Sequence, residues 1–225
     1  MSGHMVNFQG NGSEYRGYLS PSLTGSGRGV IVIQEWWGLV GHIKDVADRF
    51  AEAGFTALAP DFYNGRQTTE PDEAGTLMMA LNIEDAAKVI HGAVNALLAH
   101  DNVTHEKVGV IGFCMGGQLS MFAACIDRKI GACVNFYGIH PNVHPEFEKL
   151  HAPLLGFFAE NDTYASPDVV ASLDRDLSAL GKEHRFLVFE GRQHAFFNSD
   201  RPEVFDKEAA EDCWNQMVSF LNENI

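Results

Sequence analysis

Six residues, Gly112-Phe113-Cys114-Met115-Gly116-Gly117, constrain this chain more than any other stretch. An apolar run from Lys107 to Ile111 precedes them, and a helix-forming run from Gln118 to Ala124 follows. The pattern predicts a strand, a sharp turn at one reactive residue, and then a helix, which is the context of a nucleophile elbow. The glycines have a steric role in such a turn. Its central residue is forced into a strained conformation, and a Cβ on a neighbour would strike the adjacent strand or helix. Serine usually holds the central place of G-x-S-x-G, whereas this chain carries Cys114. A thiol at a helix N-terminus sits where the macrodipole favours its anionic, nucleophilic form. Read alone, the motif fits a buried cysteine packed between glycines about as well as it fits a nucleophile.

Around the motif, apolar runs and helical periodicities alternate. Strands are expected over Glu14 to Leu19, Gly29 to Gln34, Phe55 to Ala59, Lys107 to Ile111, Ile130 to Tyr137, Pro153 to Ala159 and Arg185 to Glu190. Helical spacing joins Ile43, Val46, Ala47, Phe50 and Ala51, and later Ile83 through Leu98. A further helix runs from about Pro167 to Leu180, with Ser166 placed to cap it and Pro167 suited to its first turn. The last is expected to carry Val204, Phe205, Trp214, Met217, Val218 and Leu221. The stretch from Tyr63 to about Met79 reads as a surface loop or a mobile flap. Alternation of this kind implies an α/β fold, a mostly parallel sheet covered by helices on both faces. Sites in such sheets lie outside the carboxyl ends of the strands.

With 225 residues, the chain is expected to form a single domain over 1–225 with a sizeable core. No apolar stretch reaches the length of a membrane span, and the N-terminus lacks the basic-then-apolar pattern of a secretory signal. Ser2-Gly3-His4-Met5 is compatible with a cloning remnant. Thirty acidic against sixteen basic residues leave a net charge of −14, a field that repels phosphate backbones and argues against nucleic-acid binding. The four cysteines, at 114, 125, 133 and 213, show no C-x-x-C spacing, which fits a reducing cytoplasm. Cys125, Cys133 and Cys213 sit in apolar or helical patterns and read as buried small hydrophobes. His140, His144 and His151 lack a ligand motif, so no metal site is expected. Oligomeric state is left open, and a monomer is compatible with the chain.

A cysteine nucleophile needs a base, and the base needs an orienting partner. In this kind of fold the chain order is nucleophile, acid, histidine. Asp162 follows the strand Pro153 to Ala159 and His194 follows the strand Arg185 to Glu190, each in the expected order. Taken singly, Asp162 is a turn former and His194 a loop histidine; the shared order makes a triad with Cys114 the better reading. The loop Gln34-Glu35-Trp36-Trp37-Gly38 occupies the place that supplies an oxyanion-hole donor. The backbone N–H groups of Trp36 and Met115 form the natural pair. Glu35 is unusual near a developing negative charge, and reads either as a solvated acid or as an acceptor of the thiol proton. Trp36 and Tyr137 are expected to line an apolar acyl pocket.

Gln34-Glu35-Trp36-Trp37-Gly38, His42 to Arg49, Ala59-Pro60-Asp61-Phe62-Tyr63, Gly112 to Gly117, Tyr137-Gly138, the Asp162 turn with Pro167, and His194-Ala195-Phe196 together resemble the dienelactone hydrolases of the α/β-hydrolase superfamily. The resemblance implies a Cys114–His194–Asp162 triad with Glu35 as auxiliary carboxylate, and no metal or organic cofactor. It implies attack of the thiolate on a lactone or ester carbonyl, an acyl-thioester, and hydrolysis by water that His194 activates. The chain departs from the family where two arginines bind the substrate carboxylate. Asn198 stands four residues after His194, and Asp72-Glu73-Ala74-Gly75 occupies the other place. Arg66, Arg192 or Arg201 could substitute, but all three read more readily as solvated surface charges, so a neutral ester or another lactone is as good an expectation as dienelactone itself. A thioesterase or broad esterase would use the same groups. A non-catalytic thiol sensor on this scaffold would have no use for Asp162 and His194.

Overall fold

The computed structural model describes residues 3–225. Eight strands form one sheet: β1 (His4–Gly10), β2 (Ser13–Ser20), β3 (Gly27–Ile33), β4 (Phe55–Pro60), β5 (Val103–Phe113), β6 (Ile130–Phe136), β7 (Leu154–Ala159) and β8 (His184–Phe189). Their spatial order is β1-β2-β4-β3-β5-β6-β7-β8. The two β1–β2 and β2–β4 pairings are antiparallel and all others parallel. Six helices join the strands: α1 (Gly41–Glu52), α2 (Pro71–Met79), α3 (Ile83–Leu98), α4 (Met115–Ile126), α5 (Pro167–Ala179) and α6 (Lys207–Asn224). This is the α/β architecture expected from the alternation.

The central strands explain why the sheet is parallel. Val30 to Ile33 of β3 and every residue of β6 are buried, so neither face tolerates a polar alternation. Burying one such aliphatic side chain contributes roughly 1.5–3 kcal/mol. β8, at the sheet edge, alternates between half-buried and exposed residues instead. Helix ends follow local chemistry. Asn82 caps α3 by accepting from the Asp85 N–H at 3.0 Å, and Glu84 and Asp85 sit in the first turn, where the dipole favours acids.

Four elements differ from the sequence expectation. The expected strands omitted β1, which pairs with β2 through a turn at Asn11-Gly12, both at positive φ. Asn-Gly is a strong short-range hairpin signal and could have revealed it. Gly3 also joins the fold, its N–H donating to Asp48 Oδ1 at 2.9 Å, whereas Ser2 of the possible cloning remnant lies outside the described residues. Residues 71–79 of the expected loop or flap form α2, which Pro71 starts and which buries only Ala74 and Leu77. α6 begins after Val204 and Phe205 because Asp206 caps it, accepting from the Ala209 N–H at 2.9 Å. Ser166 does occupy the N-cap of α5, yet its hydroxyl makes no capping bond.

Candidate active site

The turn at Cys114 is held from several sides. Cys114 adopts φ 53° and ψ −118°, a conformation that L-residues reach only when their surroundings impose it. Its N–H donates to the Phe136 carbonyl on β6 at 3.0 Å. Its own carbonyl accepts from the N–H groups of Gly117 at 2.9 Å and Ile139 at 3.1 Å. Two glycines make this approach feasible. A Cβ on Gly112 would fall on the Gly116 carbonyl, and one on Gly116 would lie 2.5 Å from the carbonyl oxygens of Ile33 and Gln34 at the end of β3.

Asp162 and His194 meet beside this turn. Asp162 is buried after β7, and its Oδ1 accepts the N–H groups of Tyr164 at 2.7 Å and Ala165 at 3.0 Å. Its Oδ2 lies 2.7 Å from His194 Nδ1. Nδ1 therefore carries the proton donated to Asp162, which leaves Nε2 for Cys114. Burial alone would lower the His194 pKa, but hydrogen bonds to Asp162 and Cys114 outweigh it and raise the value to about 10. The His194 ring is also flanked by Tyr137, with centroids 4.9 Å apart, and by Tyr164 at 5.1 Å.

Glu35 follows β3 and is almost wholly buried. Its pKa is raised because burial penalises the anion, although His194, Asn198, Arg201 and Tyr137 all favour the charged form. Asn198 Nδ2 donates to Oε2 at 2.6 Å, and Tyr137 Oη donates to Oε1 at 3.4 Å. The N–H groups of Trp36 and Met115 have no acceptor among the described hydrogen bonds, and Met115 opens α4, where N–H groups lack intrahelical partners.

Cys114, His194, Glu35 and Trp36 line one cavity of about 340 Å³. Its walls add Pro71 and Met78 of α2, Ile139, Tyr164 and Arg201. The structure thus brings together the cysteine, histidine, aspartate and glutamate singled out in the sequence. Tyr137 is a correction: it was expected on the pocket wall, but it is fully buried behind Glu35 and His194 and does not line the cavity. Arg201 is partly exposed and pairs with Glu203, and it also lines the cavity, its guanidinium 5.6 Å from the Trp37 ring centroid. Arg66 and Arg192 pair with Glu73 and Asp206 and do not line that cavity. Sequence reading missed Tyr164, Met78 and the Asn198–Glu35 bond; the only signal for the last was the unusual residue at 198.

The other three cysteines differ from Cys114. Burial pushes the thiols of Cys125 and Cys133 up to about 12 and that of Cys213 higher still, so all three stay protonated. Among the described residues, no helix is long and apolar enough to cross a membrane.

Comparison with known proteins identifies the family of the chain. The model of the dienelactone hydrolase family matches residues 16–225. Protein usf of Aquifex pyrophilus is 39% identical over 230 residues, covering 99% of this chain and 99% of that protein. A protein of Aquifex aeolicus (strain VF5), provisionally named a carboxymethylenebutenolidase, is 34% identical over 226 residues, covering 97% of each. Among solved structures, a provisionally named dienelactone hydrolase from Klebsiella pneumoniae subsp. pneumoniae MGH 78578 superposes with a TM-score of 0.83 at 24% identity. It covers 99% of this chain and 100% of its own.

Proposed function

The chain belongs to the dienelactone hydrolase family and is a hydrolase of that type, and from that premise we propose that it hydrolyses lactones or small carboxylic esters through an acyl-thioester on Cys114. The observation that carries this reading is the 2.7 Å Asp162–His194 bond beside a strained Cys114, at one end of a largely apolar cavity. Substrate enters with its carbonyl carbon over Cys114. Glu35 takes the thiol proton, and the thiolate attacks the carbonyl carbon. The carbonyl π electrons move to oxygen, where the Trp36 and Met115 N–H groups stabilise the charge. Collapse expels the alcohol or enol oxygen, which regains a proton from Glu35. Acylation removes the Cys114 thiol that helps to hold a proton on His194, and the neutral imidazole then removes a proton from water as the water attacks the thioester. The second tetrahedral intermediate expels the Cys114 thiolate, which takes the proton back from His194, and the acid is released. A reducing cytoplasm suits this chemistry because it keeps the thiol free.

Arg201 favours a second reading within the same reaction, in which the substrate carries an anionic group. It is the one permanent cation on the cavity wall, and it restores there what Asn198 does not provide. The case for a neutral ester in place of dienelactone is weaker for it.

Replacing the nucleophile tests the central claim. Cys114→Ala should lower turnover of an activated aryl ester by about 10⁴-fold or more, as removal of a nucleophile does elsewhere, while thermal unfolding stays cooperative. Wild-type turnover in that variant would rule the mechanism out.

A further inference from the structure

Glu35 is held by neutral groups. Among the described residues it forms no ion pair within 4.0 Å, although the residue is only 1% exposed. The shortest contact is the 2.6 Å bond from Asn198 Nδ2 to Oε2. Asn198 is itself buried and fixed in orientation. Its Oδ1 accepts the Asp200 N–H at 2.9 Å, so the NH₂ end of the amide must face Glu35. Its backbone N–H donates to the Ala195 carbonyl at 2.9 Å, which ties it to the turn carrying His194. One residue therefore links the position of Glu35, through its side chain, to that of the histidine loop, through its backbone.

We propose that Asn198 is a positioning residue for the reaction: its neutral amide holds the Glu35 carboxyl at the cavity that Cys114 lines and leaves it able to gain and lose a proton in each turnover. The inference rests on the role given to Glu35 above. A cation in direct contact would hold a carboxylate permanently charged, and so make it a poor acceptor for a thiol proton. A donated amide hydrogen bond stabilises the anion less, and it fixes the direction of the carboxyl without settling its charge. The titratable and charged groups that bear on Glu35 are His194 on the histidine loop, Arg201 beyond it and Tyr137 after β6. Cys114 shares the cavity from the start of α4. Burial outweighs the groups that favour the anion and keeps the pKa raised.

The sign of the test follows. Acylation requires the Glu35 anion, so its rate rises with pH as that group loses its proton. Removing a donor to the anion moves the rise to higher pH. Asn198→Asp places a second carboxyl against Glu35, and the two compete for one proton. The rise in the pre-steady-state burst rate with an activated aryl ester should move up by about one pH unit or more. Asn198→Leu should move it in the same direction by less, and it serves alone if the aspartate variant does not fold. Deacylation, which depends on His194, should change by no more than about twofold. Variants that lower the melting temperature but leave the rise in place would show a merely structural amide and overturn the inference. Glu35→Gln separates the two ideas. Unchanged acylation and an unchanged pH profile in that variant would remove both. If Glu35→Gln abolishes the rise while the Asn198 variants leave it unmoved, only the role of Asn198 falls.

Discussion

The turn at Cys114 and the outer wall of the cavity are built on opposite principles. At the turn, backbone touches backbone: Gly116 lies against the carbonyls ending β3, and the Cys114 carbonyl accepts from the first turn of α4 and from the loop after β6. The outer wall is made of side chains on thinly anchored supports. α2 buries only Ala74 and Leu77, and its last turn is pinned through His140 Nε2 to the Met78 carbonyl at 3.2 Å. Arg201 sits in a turn of its own before α6, with its Nε on exposed Glu203. The difference separates two tasks. Chemistry requires reacting atoms placed to a fraction of an ångström, which close backbone packing supplies. Substrate choice requires a wall that substitution can reshape at small cost to the fold.

Three substitutions probe that contrast. The largest effect is expected at the turn. Gly116→Ala sets a methyl group 2.5 Å from two backbone oxygens that cannot rotate away. A loss of about 2–3 kcal/mol is expected, read as a melting temperature lower by roughly 5–10 °C, with turnover falling as the Trp36 and Met115 N–H groups move apart. Unaltered stability would mean the turn is looser than its contacts indicate. An intermediate effect is expected at Arg201. Arg201→Met should lower kcat/KM for an anionic lactone relative to a matched neutral ester by about two- to fivefold, the worth of one partly screened ion contact. Equal losses on both substrates would assign Arg201 to the wall rather than to charge recognition. The smallest effect is expected at Met78. Met78→Ala should shift KM among esters of different acyl length by a few-fold, with stability changed by about 1 kcal/mol or less because the side chain is only partly buried. A stability loss matching that of Gly116→Ala would erase the distinction between the two regions.

Much of the fold was legible because its signals are local. β3 and β6 are apolar runs without alternation, α3 shows an unbroken helical stripe behind an Asn82 cap, and the glycines around Cys114 announce a tight turn. Failures arose where the signal was short or competed with another. α2 was masked by the glycine, threonine and acidic residues of its segment, and β1 by a polar alternation suited to an edge strand. The start of α6 was misplaced because Val204 and Phe205 continue its apolar spacing, although Asp206 caps the helix after them.

The site divides along the same line. Cys114, Asp162, His194 and Glu35 could be found from sequence because each follows a recognisable strand, and a parallel sheet brings those ends together whatever else the chain does. Tyr137 and Arg201 could not be assigned that way. Whether an aromatic faces a cavity or fills the space behind it depends on a few ångströms of packing among β6, the histidine loop and Glu35. Whether an arginine reaches a pocket depends on the direction of one turn. Sequence alone determined the alternation of the central elements and pointed to the candidate reacting groups, since both follow from local periodicity and chain order. Only tertiary structure decided what surrounds those groups, because a neutral amide on Glu35 and a guanidinium on the cavity wall are contacts between residues far apart in the chain.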